Sequence, residues 1–359
     1  MPVSLTSLER IICAARMQVP DVVPVAPYMG NHGAKIGGAL LGEYCSNGKK
    51  MAEAQYKAWE IYGQDAVVPQ SDNYYIAEGF GVVIEFYKDA TPTLKMPVID
   101  DILDVYRLKV PDPYADGRMS VYLEAAEILS GKLKKDGICV RGTGTGPFSL
   151  ASHLMGTENF LVQLAMAEAD EDEERLKAFR FLMDLTSDAL ISFSRAMLSA
   201  GANLVQAGDS LASISMISPA MYKKWAFPYE KKFFDAINSE CMRYDAASIL
   251  HICGNMTPVL DCMADTGAHI IELDTAVSLA EAKARIGGRV CLMGNIHPTA
   301  VLLQGTPQEV EAACEKAIAD AGEGGGFILG SGCEVPPFAP QANLKAMIAT
   351  ARRHSYPLR

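Results

Sequence analysis

Residues 248–254 read SILHICG, and three runs of the same make follow at HIIELD (269–274), VCLMGNI (290–296) and GFILGSGC (326–333). Each is a short apolar run without strict alternation, and such runs here end at Gly, Asp, Asn or Pro. Strands buried on both faces, as in a parallel sheet, carry that pattern. Working outward toward the N-terminus, VVPVAP (22–27), DAVVPQSD (65–72), ICVRGTG (138–144) and ANLVQAGD (202–209) repeat it, which makes eight such runs. Helical stretches separate them, at 49–63, 118–137, 158–201 and 307–322. Eight strands alternating with helices predict an α/β protein built as a single (β/α)₈ TIM barrel over residues 1–359, with an N-terminal helical extension. The acidic run EADEDEER (168–175) reads as a solvated helix start that the helix dipole favours.

Composition agrees with a large globular core. Of 359 residues, 49% are apolar and 21% charged. The net charge is −11 and no block of Lys and Arg occurs, so a partner nucleic acid is not expected. No apolar run approaches the ~20 residues of a membrane span, and no secretory signal opens the chain. The nine cysteines are an odd, dispersed set, which predicts a reducing, cytoplasmic setting without disulfides.

In a barrel of this kind active sites lie at the C-terminal ends of the strands. The polar residues ending the predicted strands are Asp72, Asp209, His251, Cys253, Asp274, Asn295 and Cys333. His251 and Cys253 stand two apart on one strand and so face one point. With Cys333 they offer an imidazole and two thiolates, a donor set suited to Zn²⁺ with a fourth position open for chemistry. Against this, a reduced cysteine taken alone is most often core filler. It is the placement of all three at strand ends that points to metal. Of the other histidines, His153 reads as a packing residue, His269 opens a strand on the far side of the barrel, and His297 lies near the mouth. His32 falls in the Gly-rich stretch PYMGNHGAKIGG (27–38), read as a loop.

The segments GTGTGPFSLASHLMG (142–156), ISPAMYKKWAFPYEKK (217–232), HICGNMTPVL (251–260), MGNIHPTAVLLQGTPQEV (293–310) and GGFILGSGCEVPPFAPQANLKAM (325–347) resemble the uroporphyrinogen decarboxylase superfamily. The resemblance spans about Leu8 to Arg353 and implies the (β/α)₈ barrel independently. Decarboxylases of the superfamily bind a polycarboxylate tetrapyrrole through an arginine-bearing loop after the first strand. Here the matching loop 27–38 holds no arginine and a single Lys35. The other branch comprises zinc-dependent, corrinoid-linked methyltransferases marked by His-x-Cys and a distant Cys, which His251, Cys253 and Cys333 match one by one.

The resemblance therefore implies a methyltransferase with Zn²⁺ on those three residues and a corrinoid (cobalamin) carried by a transient partner protein. No Asp-x-His-x-x-Gly pattern for a corrinoid domain occurs in this chain. Asp72 falls where the decarboxylases keep a catalytic Asp, and Asp72 and Asp209 are the expected catalytic carboxylates. Glu78 is the weaker candidate, read as a solvated loop residue, and Glu334 stands beside Cys333 as a possible fourth ligand. The residues expected at the substrate are Tyr28, Met29, Asn31 and His32 in the first loop, Tyr74 in the second, Gly144 after the third strand, and His297. Because the first two loops are aromatic, amide-rich and poor in cations, the expected reaction is O-demethylation of an aryl methyl ether. The alternatives are methyl transfer from a corrinoid protein to coenzyme M, with Lys35 or Arg141 meeting its sulfonate, and a metal-free decarboxylase-like lyase. A homodimer is the assembly left open.

Overall fold

The computed structural model describes residues 4–358, and its centre is a curled parallel sheet. Seven strands run β1 (Ala66–Val67), β4 (Cys139–Gly142), β5 (Leu204–Gly208), β6 (Ala247–Ile252), β7 (Ile270–Leu273), β8 (Cys291–Ile296) and β9 (Phe327–Ser331), each hydrogen-bonded to the next in that order. Every pairing among them is parallel. A separate antiparallel hairpin, β2 (Val83–Glu85) and β3 (Thr93–Met96), rises from the connection after β1.

The eighth expected strand, VVPVAP, is not a full strand. It makes a parallel bridge from Val25 to Leu329 in β9, and the Asp65 N–H donates to the Val25 carbonyl at 2.9 Å on the β1 side. Pro24 and Pro27 have no N–H to give, which limits this segment to isolated bonds with each sheet edge. The stretch 65–72 is likewise shorter than expected, with only Ala66 and Val67 in ladder geometry.

Helices cover the outside of the sheet. Pro307–Ala321 begins at a capping box in which Thr306 and Glu309 satisfy each other's backbone N–H, with Pro307 at the first helical position. The expected helix over 158–201 is two helices, Thr157–Ala169 and Glu173–Ser199. Glu171 at φ 50° turns the chain between them, and Asp172 caps the second by accepting the Arg175 N–H. The acidic run thus sits at a helix start, and also at a break.

The N-terminal helix Ser7–Ala15 plugs the end of the sheet opposite the strand C-termini. Its Ile11, Ile12, Ala14 and Ala15 are buried with Ala66, Cys139, Leu204, Ile249, Ile270, Cys291, Met293 and Ile328 from the strands. Full burial of each isoleucine is worth roughly 1.5–3 kcal/mol. With that end filled by packed side chains, a cavity opens at the strand C-termini. Among the described residues no helix is long and apolar enough to cross a membrane, and all nine cysteines are free thiols.

Candidate metal centre

His251 is the fifth residue of β6, and Cys253 follows one residue after the strand ends. Alternation along the chain places both side chains on one side. The His251 Nδ1 is held between the Glu272 carbonyl at 3.2 Å and the Glu272 Oε2 at 3.3 Å, which turns Nε2 toward the Cys253 Sγ, 3.3 Å away. Cys333 enters from the far edge of the curled sheet, just beyond β9, with its Sγ 3.8 Å from that of Cys253. Donor atoms of the three residues all lie within 4.8 Å of one another, the one such group among the described residues. The Ser210 hydroxyl, after β5, stands 3.2 Å from the Cys253 Sγ.

The trio shares its protons unevenly. A hydrogen bond from the Cys333 thiol, helped by His251 and opposed by burial, pulls the Cys253 thiol down to about 4. Cys333 moves the opposite way, because its proton is held by Cys253 and burial disfavours a second anion. Burial works against a charged His251, yet the Cys253 bond and the Glu272 charge raise it to about 9. Cys253 is thus the more acidic of the two thiols, and a cation bound here would displace the remaining protons from His251 and Cys333.

Beneath the trio lies a dry ion pair. Arg141, wholly buried on β4, donates to both oxygens of Glu272 on β7 at 2.7 and 2.6 Å and twice to the Gln206 Oε1 on β5 at 3.0 and 2.7 Å. Burial would raise the Glu272 carboxyl, and the guanidinium outweighs it to keep the group ionised. The same guanidinium sits 4.6 Å from the centre of the Tyr28 ring.

A cavity of ≈ 160 Å³ opens on the trio, walled by Tyr28, Gln70, Ser71, Asn73, Thr143, Gly144, Gln206, Gly208, Ser210 and Glu334. Its only carboxyl is Glu334, raised to about 7 by burial although the Asn31 N–H donates to it at 2.7 Å. No Lys or Arg lines it.

Of the expected substrate residues, Tyr28 and Gly144 line this cavity. Asn31 is one step removed, donating its side-chain amide to the Ser71 carbonyl at 2.9 Å. Tyr74 borders an adjoining cavity of ≈ 280 Å³ that shares Asn73, Gly208 and Ser210. Met29 is buried in the core, outside the lining. His32 lies in the helix Gly30–Ile36 and not in a loop, wholly buried, bonded to the Tyr62 hydroxyl at 2.9 Å and stacked on its ring. His297 is exposed and caps the turn after β8 by accepting the Thr299 and Ala300 N–H groups.

Neither expected carboxylate faces the cavity. Asp72 is taken by Arg118, at 2.8 and 2.9 Å, and by the Tyr122 hydroxyl at 3.0 Å. Asp209 is wholly buried and accepts the Phe148 and Ser149 N–H groups at 3.1 and 2.6 Å, capping the helix Pro147–Met155. Glu78 pairs with Arg118 at 2.6 Å and is not solvated. Lys35 pairs with Asp89 on the hairpin connection, so it is spoken for as well. Sequence reasoning missed Gln70 and Gln206, neutral amides beside the aspartates that drew attention.

His153 borders the adjoining cavity, 4.8 Å from the Tyr74 ring, with its Nδ1 unpartnered. Burial lowers it to about 4, against 6.5 for the free group. The unfolded chain therefore takes up this proton first as pH falls, and the folded state loses stability between pH 6.5 and 4. We expect this to amount to about 2 kcal/mol between pH 7 and pH 5. His153→Gln should remove that share of the acid sensitivity, read from urea midpoints at the two pH values. An unchanged difference would refute it.

The family model described as uroporphyrinogen decarboxylase (URO-D) matches residues 6–354. The methylcobamide:CoM methyltransferase MtbA of Methanosarcina mazei is 32% identical, over 98% of this chain and 99% of its own. A uroporphyrinogen decarboxylase of Histophilus somni is 26% identical, over 87% of this chain and 85% of its own. The solved structure of a methyltransferase from Methanosarcina mazei aligns with a TM-score of 0.85 at 26% identity, covering 97% of this chain and 99% of that one.

Proposed function

The chain belongs to the uroporphyrinogen decarboxylase family and is a corrinoid-dependent methyltransferase, and from that premise we propose that it moves a methyl group between a small substrate at a His251–Cys253–Cys333 zinc centre and the cobalt of a separate corrinoid protein. The observation that carries the metal is the donor spacing. Two thiolates bound at ~2.3 Å on a tetrahedral zinc stand about 3.8 Å apart, and the two Sγ atoms are 3.8 Å apart before any ion is added. When bound, zinc supplies a Lewis acid that holds negative charge on the atom giving up or receiving the methyl group.

The chain's own groups then have clear tasks. Glu272 fixes the His251 ring through Nδ1, and Arg141 keeps Glu272 ionised. Ser210 supports the Cys253 thiolate. Glu334 is the one carboxyl at the cavity wall, where it can hold a proton for a leaving oxygen or sulfur. This role replaces the one first expected of Asp72 and Asp209. We also read residues 1–359 as one domain and the Val25 segment as the strand position that closes the barrel.

As substrate class we propose an aryl methyl ether. The lining is uncharged apart from Glu334 and the metal ligands, it has an aromatic wall in Tyr28, and it offers no free cation to a sulfonate. A second reading, transfer to coenzyme M, is favoured by the name of the 32% identical relative.

One assay separates the two. Purified protein is analysed for metal by mass spectrometry, then tested for methyl transfer from methoxyarenes to cob(I)alamin and from methylcobalamin to coenzyme M. About one zinc per chain, with activity toward methoxyarenes, supports the first reading. Activity only with the thiol establishes the second, and no metal uptake on adding zinc sinks both. Glu272→Gln tests the support beneath the metal: we expect zinc affinity to fall about 10–100-fold, measured by competition with a chromogenic chelator. Unchanged affinity would mean that Glu272 serves folding alone.

A further inference from the structure

Two glutamines of the cavity wall are left with hydrogen-bonding groups that no protein atom uses. Gln70, only 3% exposed, donates its amide nitrogen to the Asn73 Oδ1 at 3.0 Å, while its Oε1 has no partner. An orphaned acceptor at this depth keeps its desolvation cost unless a ligand supplies the donor. Gln206 is turned the other way. Its Oε1 takes both bonds from Arg141, so its amide nitrogen is directed away from the guanidinium, and it lies 3.0 Å from where a side chain on Gly208 would begin. Gly208 lines the cavity, and the absence of a side chain there leaves the Gln206 nitrogen open to it. Both glutamines line the same ≈ 160 Å³ space beside the metal trio, without a Lys or Arg among the lining residues.

We propose that Gln70 and Gln206 form a reading pair that selects an uncharged substrate, Gln206 Nε2 donating to the methyl-bearing oxygen and Gln70 Oε1 accepting from a neighbouring hydroxyl. The substrate class is then a hydroxylated aryl methyl ether of the 2-methoxyphenol type. This deepens the aryl ether reading and rests on it. Rejection of a ligand that cannot satisfy a buried polar group is the stronger form of discrimination, since the unpaired group keeps its desolvation cost.

The test is binding to the zinc-loaded protein by calorimetry, without a corrinoid partner, using 2-methoxyphenol and anisole, which lacks the hydroxyl. The wild type should bind 2-methoxyphenol about tenfold or more tightly than anisole. Gln70→Met keeps the length of the side chain and should bring the two ligands to equal affinity with zinc content unchanged. Gly208→Ala sets a methyl group against the Gln206 nitrogen and should weaken both ligands alike, preserving their ratio. Equal binding of the two ligands by the wild type overturns the proposal and leaves the aryl ether reading standing. So does a Gln70→Met protein that still prefers 2-methoxyphenol. Failure of either ligand to bind, with methyl transfer to coenzyme M intact, overturns both.

Discussion

Replacing Cys333 with alanine is expected to strip the protein of zinc and to lower methyl transfer by about a thousandfold or more, the several kcal/mol that a bound Lewis acid supplies. The loss is larger than that of one donor among three. The Cys253 thiol is drawn down first of all by the hydrogen bond from Cys333, so removing Cys333 also makes its neighbour a poorer thiolate. Folding should survive, because Cys333 lies beyond the end of β9 at the cavity and not in the packed interior between the strands and the N-terminal helix. The checks are zinc per chain by mass spectrometry and a thermal melt on the same sample. A Cys333→Ala protein that keeps a full zinc complement would remove this residue from the ligand set.

The largest effect on stability is expected at the opposite end of the sheet. Asp65 is wholly buried and accepts five hydrogen bonds: from the Ser7 hydroxyl at 2.6 Å, Arg10 at 3.0 Å, the Val25 N–H at 2.8 Å, and Arg352 at 3.0 and 2.8 Å. It ties the N-terminal helix, the proline-limited Val25 segment and the C-terminal helix Gln341–Arg353 to the start of β1. Asp65→Ala leaves Arg10, itself 7% exposed, with only Asp21 as a charged partner. Breaking such a buried pair from one side costs about 3–5 kcal/mol. We expect the urea midpoint to fall accordingly while zinc content per folded chain stays constant. A shift below about 1 kcal/mol would show that Asp21 alone is enough for Arg10.

These two sites differ in how far they could be read from the chain. His251-x-Cys253 is a local spacing on one strand, and strand alternation alone puts both side chains on one side. Asp65 looks like any acidic residue before a strand, and four of its five donors lie 55 or more residues away or on the far terminal helix. The surroundings of the carboxylates chosen from the sequence were hidden for the same reason. Asp72 is neutralised by Arg118 from 46 residues away, and Asp209 caps a helix 60 residues earlier. His32 was placed in a loop by its glycines, yet the segment is helical, and Gly33 lets that helix lie against the Gln55 side chain, where a Cβ would come within 2.3 Å.

By itself, then, the sequence determined the parallel strand runs other than the Val25 segment, most of the helices between them, and the His251-x-Cys253 pair, since each follows from periodicity or local spacing; Cys333, 80 residues on, was legible only as the polar end of the last run. Only the tertiary structure decided how the sheet edges meet across a segment poor in N–H donors, which acidic groups are already consumed, and which amides remain unpaired at the cavity. Those outcomes depend on how hydrogen-bond donors and acceptors are shared among residues distant in the chain. A local pattern does not carry that information, because a carboxylate is free or consumed according to what folds against it.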